Sequence, residues 1–295
     1  MKIVPILNIE QFEHEESTTS FYSNNLKQHL KENETIVYKP HKHDFFLCVL
    51  FLKGSGVHEV DFNSYPIERG SVFFLQPGQT HCWEFHSPPQ GYIFFHTRSF
   101  YEFSFSNTKL TQFPFYYSYK NPPHLSLTTS EVLRFAKCFD EINVEYHQES
   151  IYKEQKLASL ITIIYIDLSR LYADFGDSKK NSSPTYLKTI EVLDKLIETG
   201  YKTQKSAQFY ANELNITPKH LNRITKTTIN KTTTELITER ILLEAKRLIV
   251  HSNNSLTTIA ELLGYEDYAY FSRVFKSKTG SSPLAFKKRY DRYKV

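Results

Sequence analysis

The residues best suited to chemistry in the first half of this chain are three histidines. His41-Lys42-His43 sets two imidazoles on one face of an extended segment, and His81 follows a Pro77-Gly78 turn. Such a pair, with a third histidine across a β-barrel, holds transition metals through ring nitrogens. The glutamate that completes that donor set is missing. Phe45-Phe46-Leu47-Cys48 occupy its region, and Asp44 alternates to the face opposite His43. We therefore expect no metal and no cofactor, and read His41, His43 and His81 as lining an effector pocket or hydrogen-bonding within the barrel. Trp83 belongs with them, because alternation puts His81, Trp83 and Phe85 on one face and Cys82, Glu84 and His86 on the other. Alternation does not say which face is inside.

These side chains need a scaffold of strands. From Thr35 to His96, β-branched and aromatic runs are punctuated by Lys53-Gly54-Ser55-Gly56, Asp61-Phe62-Asn63-Ser64, Glu68-Arg69-Gly70, Gln76-Pro77-Gly78 and Ser87-Pro88-Pro89. Read as turns, they predict an antiparallel barrel or jelly roll. Two helices follow within about 131–172, on Val132, Leu133, Ala136, Phe139 and Ile142, then on Leu157, Leu160, Ile161, Ile164, Leu168 and Leu171. The second is apolar enough to need a partner surface, either the barrel or another subunit. A polar stretch from Asp174 to Pro184 reads as a linker, which we bound at 174–186 between domains 1–173 and 187–295. Three scattered cysteines frame neither a disulfide scaffold nor a zinc site. The longest apolar run, Phe45 to Leu52, is far short of the roughly 20 residues of a membrane span. A soluble cytoplasmic protein is the expectation.

Charge divides the chain. Residues 1–184 carry 17 Lys+Arg against 21 Asp+Glu, and residues 185–295 carry 19 against 11. A basic segment on a mildly acidic protein suits a phosphate-backbone partner, although anionic membranes or plain solvation suit it too. The basic segment also repeats itself. Ala211 matches Ala260 and Leu214 matches Leu263, and one residue of insertion later Leu221 matches Phe271, Arg223 matches Arg273, Ile224 matches Val274 and Lys226 matches Lys276. Each copy reads as helix, tight turn, helix, over about 206–227 and 257–278. Asn215 and Gly264 stand where a chain leaves a helix in the left-handed conformation. Thr217-Pro218 supplies an N-cap and a proline at the first helical position. Between the copies Ile237, Ile241, Ala245, Leu248 and Ile249 trace one stripe of a helix from about Thr232 to Val250. A rod of that size spans about 28 Å, near the roughly 34 Å between successive major grooves.

The run Ile259-Ala260, Gly264-Tyr265, Tyr268-Ala269-Tyr270-Phe271-Ser272-Arg273-Val274-Phe275-Lys276, Gly280, Pro283, Phe286, Arg289 resembles the C-terminal signature of the AraC family of bacterial transcription regulators. His41-Lys42-His43, Gly54-Ser55-Gly56, Gly70 and Pro77-Gly78-Gln79-Thr80-His81 are similar to that family's cupin-like effector domain. The resemblance implies an α+β multidomain protein: a cupin-like barrel with a helical hairpin, then an all-α domain of seven helices with two helix-turn-helix motifs. By position it implies base contacts from Lys219, Asn222 and Arg223 on the first recognition helix and from Ala269, Tyr270 and Arg273 on the second, with Lys226, Ser272 and Lys276 on phosphates. It further implies double-stranded promoter DNA, a small-molecule effector, RNA polymerase and a second copy of the chain as partners of an activator with no enzymatic role. The first copy departs from the pattern, with Asn230 for glycine, Thr233 for proline and Thr225 for an aromatic. A metal-dependent cupin enzyme fused to a DNA-binding domain is the alternative.

Overall fold

The computed structural model describes residues 5–12, 20–104, 110, 113–117, 121–174, 184–229 and 231–291. It divides into two compact units, Pro5–Gly176 and a second made chiefly of Asp177–Val295.

The first unit is organised by two long strands. Its elements are β1 (Ile6–Leu7), β2 (Phe21–Asn25), α1 (Leu26–Glu32), α2 (Glu34–Val37), β3 (Lys42–His43), β4 (Phe46–Val60), β5 (Asn63–Ile67), β6 (Ser71–Leu75), β7 (His81–His96), α3 (Arg98–Ser104), α4 (Pro114–Tyr117) and β8 (His124–Ser126). The helical pair α5 (Thr129–Tyr146) and α6 (Lys153–Asp174) follows. Antiparallel pairing runs β2-β7-β4-β6-β8, with β5 on the far half of β4. The expected closed barrel is therefore an antiparallel sheet whose hydrogen-bonded path stays open, and α5 and α6 cover the face that closure would have protected.

Two expected turns are not turns. Lys53-Gly54-Ser55-Gly56 lies inside β4 and Ser87-Pro88-Pro89 inside β7. The two breaker clusters oppose one another, Lys53 against Gln90 and Ser55 against Ser87, and the ladder shifts register between Phe51 and Gly56. Facing breakers let both strands bulge together and bend the ribbon instead of reversing it. The true hairpin is Asp61-Phe62, both with positive φ between paired Val60 and Asn63, as a two-residue hairpin turn requires.

The run Phe45–Leu52 feeds both faces of the sheet. Phe46, Cys48 and Leu50 pack beneath α5 and α6 with Phe94, Phe139, Ile161 and Tyr165. Leu47, Val49 and Phe51 pack on the other side with Phe73, Phe95 and Trp83. A polar chain anchors α6 to the sheet: His96 Nε2 meets the Tyr165 hydroxyl at 2.7 Å, and Tyr165 meets Tyr116, whose hydroxyl donates to the Leu47 carbonyl.

The second unit is helical: α7 (Pro184–Gly200), α8 (Ala207–Glu213), α9 (Pro218–Ile229), α10 (Thr233–His251), α11 (Leu256–Leu262), α12 (Tyr268–Thr279) and α13 (Pro283–Asp291). Residues 175–183 of the expected linker lie outside the described residues, and Pro184 already opens α7. The 19-residue α10 is the axis of this unit, contacting α7, α8, α9, α11 and α13. It starts in a capping box of Thr232 and Glu235. Arg240 fastens it to α7, pairing with Glu198 and Glu244 while its guanidinium lies 4.2 Å from the Tyr201 ring centre.

Candidate functional site

The two halves of the repeat fold alike, down to the hydrogen bonds of their turns. Asn215 N–H donates to Asn212 O at 2.9 Å and Ile216 N–H to Ala211 O at 3.0 Å. In the second copy Gly264 N–H donates to Glu261 O at 2.8 Å and Tyr265 N–H to Ala260 O at 2.9 Å. Asn215 (φ 53) and Gly264 (φ 71) both take the left-handed conformation that lets the second helix leave at a steep angle. Ala211 and Ala260 are fully buried, as the close crossing of the two helices demands.

The second helices, α9 and α12, carry the residues singled out from the sequence. Lys219, Arg223 and Lys226 on α9 are exposed, as are Ala269, Tyr270, Arg273 and Lys276 on α12, whereas Asn222 and Ser272 are half-buried. Lys219, Arg273 and Lys276 are exposed on these helices, so their charges face solvent and an outside anion. Arg223 donates to His220 Nδ1 at 2.9 Å, which keeps its guanidinium on the helix surface. Asp267 caps α12 by accepting from the N–H groups of Ala269 and Tyr270. Asn222 is engaged inward: its Oδ1 accepts from the Thr233 N–H at 2.9 Å, leaving the amide NH2 free of that contact.

The modules differ in core chemistry. Behind α12, Phe271 and Phe275 are fully buried, and Phe275 meets Phe286 at 5.6 Å. Behind α9 the corresponding space holds Thr225, Thr228 and Thr233, and the Thr228 and Thr233 hydroxyls have no hydrogen-bond partner. Thr225 stands where the second copy has Phe275 and spends its hydroxyl on the Asn222 carbonyl. The first module therefore buries less apolar surface there and leaves the Thr228 and Thr233 hydroxyls unpaired as well, which makes it the less stable of the two. Asn230, the third departure, lies outside the described residues.

In the first unit the inward strand face is now fixed. His81 and Trp83 are buried, and Cys82, Glu84 and His86 turn outward. His41, His43 and His81 do converge, with His81 ring centres 4.2 and 5.2 Å from those of His41 and His43. A fourth histidine joins them. His58, fully buried, sits across the ladder from Trp83 and places Nε2 3.0 Å from His81 Nδ1. Sequence reasoning missed it because only strand register reveals the pairing. His41 and His43 donate from Nδ1 to the carbonyls of Lys39 and Phe45. His43 Nε2, His58 Nδ1, His81 Nε2 and Trp83 Nε1 are buried without partners. Burial holds all four histidines below the ordinary imidazole range, His43 at about 3. Among the described residues no group of three or more His, Cys, Asp or Glu side chains is placed to share a metal ion. Trp83 also lines a groove of about 640 Å³ with Lys27, Lys31, Tyr38, Phe85 and Pro88.

Comparison with known proteins matches both units. Residues 29–142 fit the model of an AraC-like ligand binding domain and residues 210–289 that of a helix-turn-helix domain. The chain is 31% identical over 140 residues to the raffinose operon transcriptional regulatory protein RafR of Pediococcus pentosaceus, spanning 47% of this chain and 49% of that one. It is 20% identical to the transcriptional activator RhaR of Cronobacter sakazakii over 86% of this chain and 88% of that one. It is 26% identical to the transcriptional activator Btr of Bacillus subtilis over 84% of this chain and 45% of that one. Among solved structures, ToxT of Vibrio cholerae aligns over 91% of this chain and 98% of its own, with 14% identity and a TM-score of 0.43. The named relatives are transcription regulators.

Proposed function

Because the chain belongs to the AraC family of transcription regulators, we propose that α9 and α12 enter successive major grooves on one side of a promoter duplex, held at that interval by α10. The observation that carries this is the pair of identically bonded turns, each presenting a second helix with an exposed arginine and lysine at matching positions. At 1.5 Å per residue α10 is about 28 Å long, the right scale for grooves about 34 Å apart. Arg223 and Arg273 are the principal readers, each able to pair with a guanine through two N–H groups. Lys219, Ala269 and Tyr270 contact neighbouring base edges, with Asn222 beside them, while Lys226, Ser272 and Lys276 hold phosphates.

In this reading a small-molecule effector binds the first unit where Trp83 joins the buried histidines His41, His43 and His81 to the groove. It acts by preferring one of two states. The half-exposed Ile163 and Ile166 of α6 support pairing with a second copy of the chain. Two of the relatives are named as activators, which supports RNA polymerase as a further partner. No helix among the described residues is long and apolar enough to cross a membrane. A promoter partner supports the cytoplasm as its location.

Two substitutions test the division of labour. Arg273→Ala costs about 1–3 kcal/mol on a specific site and relaxes preference at one base position, seen by titrating single-base variants. Uniform weakening across all variants would make Arg273 a phosphate anchor. Lys276→Ala flattens the dependence of log K on log salt by about one unit and leaves base preference intact. A changed preference with an unchanged slope would reverse its assignment.

A further inference from the structure

We infer that Asn222 is a positioning residue that pins the first recognition helix to the rod, and that it does not read bases. The inference rests on the proposed reading of DNA by α9. Its ground is a need that exists in one copy of the repeat only. At the fiftieth residue after Thr233 stands Pro283, which opens α13 and has no N–H to satisfy. Thr233 opens α10 in the same way but does carry an N–H, and it is buried. The first N–H groups of a helix have no partner within it. Asn222 supplies one, its Oδ1 accepting at 2.9 Å from a half-buried position on α9. In the second copy Ser272 stands at the position of Asn222, and no such contact is needed there.

Reading adenine with both arms of an asparagine requires Nδ2 to donate and Oδ1 to accept at the same base. Turning Oδ1 toward the groove would strand the buried Thr233 N–H. The bond also crosses the junction between the reading helix and the connector. It therefore sets how α9 is presented relative to α10, which the spacing of the two boxes depends on. Base reading from α9 then falls to Lys219 and Arg223.

The local backbone supplies its own rescue. Thr232 is extended (φ −75, ψ 156) and Thr233 is the first helical residue, the geometry a proline at 233 asks for. Thr233→Pro deletes the N–H that Asn222 serves, together with the buried hydroxyl that lacks a partner.

The test uses the full chain and DNA it selects from a random pool. Asn222→Ala weakens binding about tenfold through the first box. It does so evenly over all base variants there, and the Thr233 amide loses protection from hydrogen exchange. Asn222→Asp, which keeps an acceptor, restores the exchange protection of the Thr233 amide, and the double variant Asn222→Ala/Thr233→Pro returns DNA binding to within about twofold of the parent. Loss of preference at a single position, not restored by Thr233→Pro, would overturn the inference and make Asn222 a base reader. Unchanged exchange at Thr233 in Asn222→Ala would overturn it as well. Should the parent select no sequence at all, the reading of DNA fails, and the exchange measurement still decides the pin.

Discussion

Acidification from pH 7 to pH 4.5 strongly destabilises the first unit and lowers its melting temperature. His29, His43 and His96 are buried and neutral in the fold, with burial as the leading cause, and are held down to about 3, 3 and 4. In the unfolded chain each returns to about 6.5. Between those limits the unfolded state binds more protons than the native one, so stability is complete above about 6.5 and is lost as the pH falls below it. Each such histidine contributes about 1.4 kcal/mol per pH unit, so these three alone give a slope of about 4 kcal/mol per unit near pH 5. His41, His58 and His81 add to it in the same direction. Two units of that slope remove about 8 kcal/mol, a large part of the roughly 5–15 kcal/mol that holds a whole domain together. Trp83 is the only tryptophan of the chain and touches His58 and His81, so its fluorescence reports this unit alone. A Trp83 melting temperature that is flat between pH 7 and pH 4.5 would refute the buried cluster.

Gly264→Ala destabilises the second module and weakens DNA binding. Gly264 holds φ 71, and a Cβ there would overlap the Lys202 carbonyl oxygen and crowd the Lys205 ammonium. Lys205 in turn donates to the carbonyls of Gly264 and Lys202 and lies 4.7 Å from the Tyr265 ring centre. The turn is therefore clamped against the segment joining α7 to α8. The left-handed conformation costs a side chain about 1–2 kcal/mol, and displacing a backbone carbonyl about 1–3 more. We expect a loss of about 3 kcal/mol or more, read as lower helical circular dichroism on heating, with Trp83 fluorescence unaffected. Asn215→Gly, at the matching turn, is close to neutral because glycine takes the left-handed conformation without strain. Equal damage at both positions would show that the clamp on Gly264 is not what makes it necessary.

What could be read without coordinates follows a physical line. The repeat was legible because its turns depend on residue types with few substitutes: Asn215 and Gly264 for positive φ, Ala211 and Ala260 for a close crossing. The rod, expected at about 232–250, runs Thr233–His251, since its apolar stripe and its capping threonine are local signals. The bent ribbon was not legible. Lys53–Gly56 and Ser87–Pro89 have turn composition, and only the pairing of one against the other makes them bulges. His58 was overlooked for the same reason, since its place beside His81 depends on the register of two strands. For Asn222 the sequence offers only the role that an amide side chain can play in a groove, and its bond to the Thr233 N–H is visible only in the fold. That Thr233 has an N–H in need of an acceptor emerges only when α10 is known to begin there.

Selection of bound sequences from random DNA tests the central claim most directly. Two matching helices on one rod predict two short boxes centred about 10–10.5 base pairs apart. Arg223→Ala blurs one box and Arg273→Ala the other, and inserting about five base pairs between them abolishes binding because it turns the second groove to the far side of the duplex. A single box, or two boxes that tolerate half-turn spacing, would contradict the account.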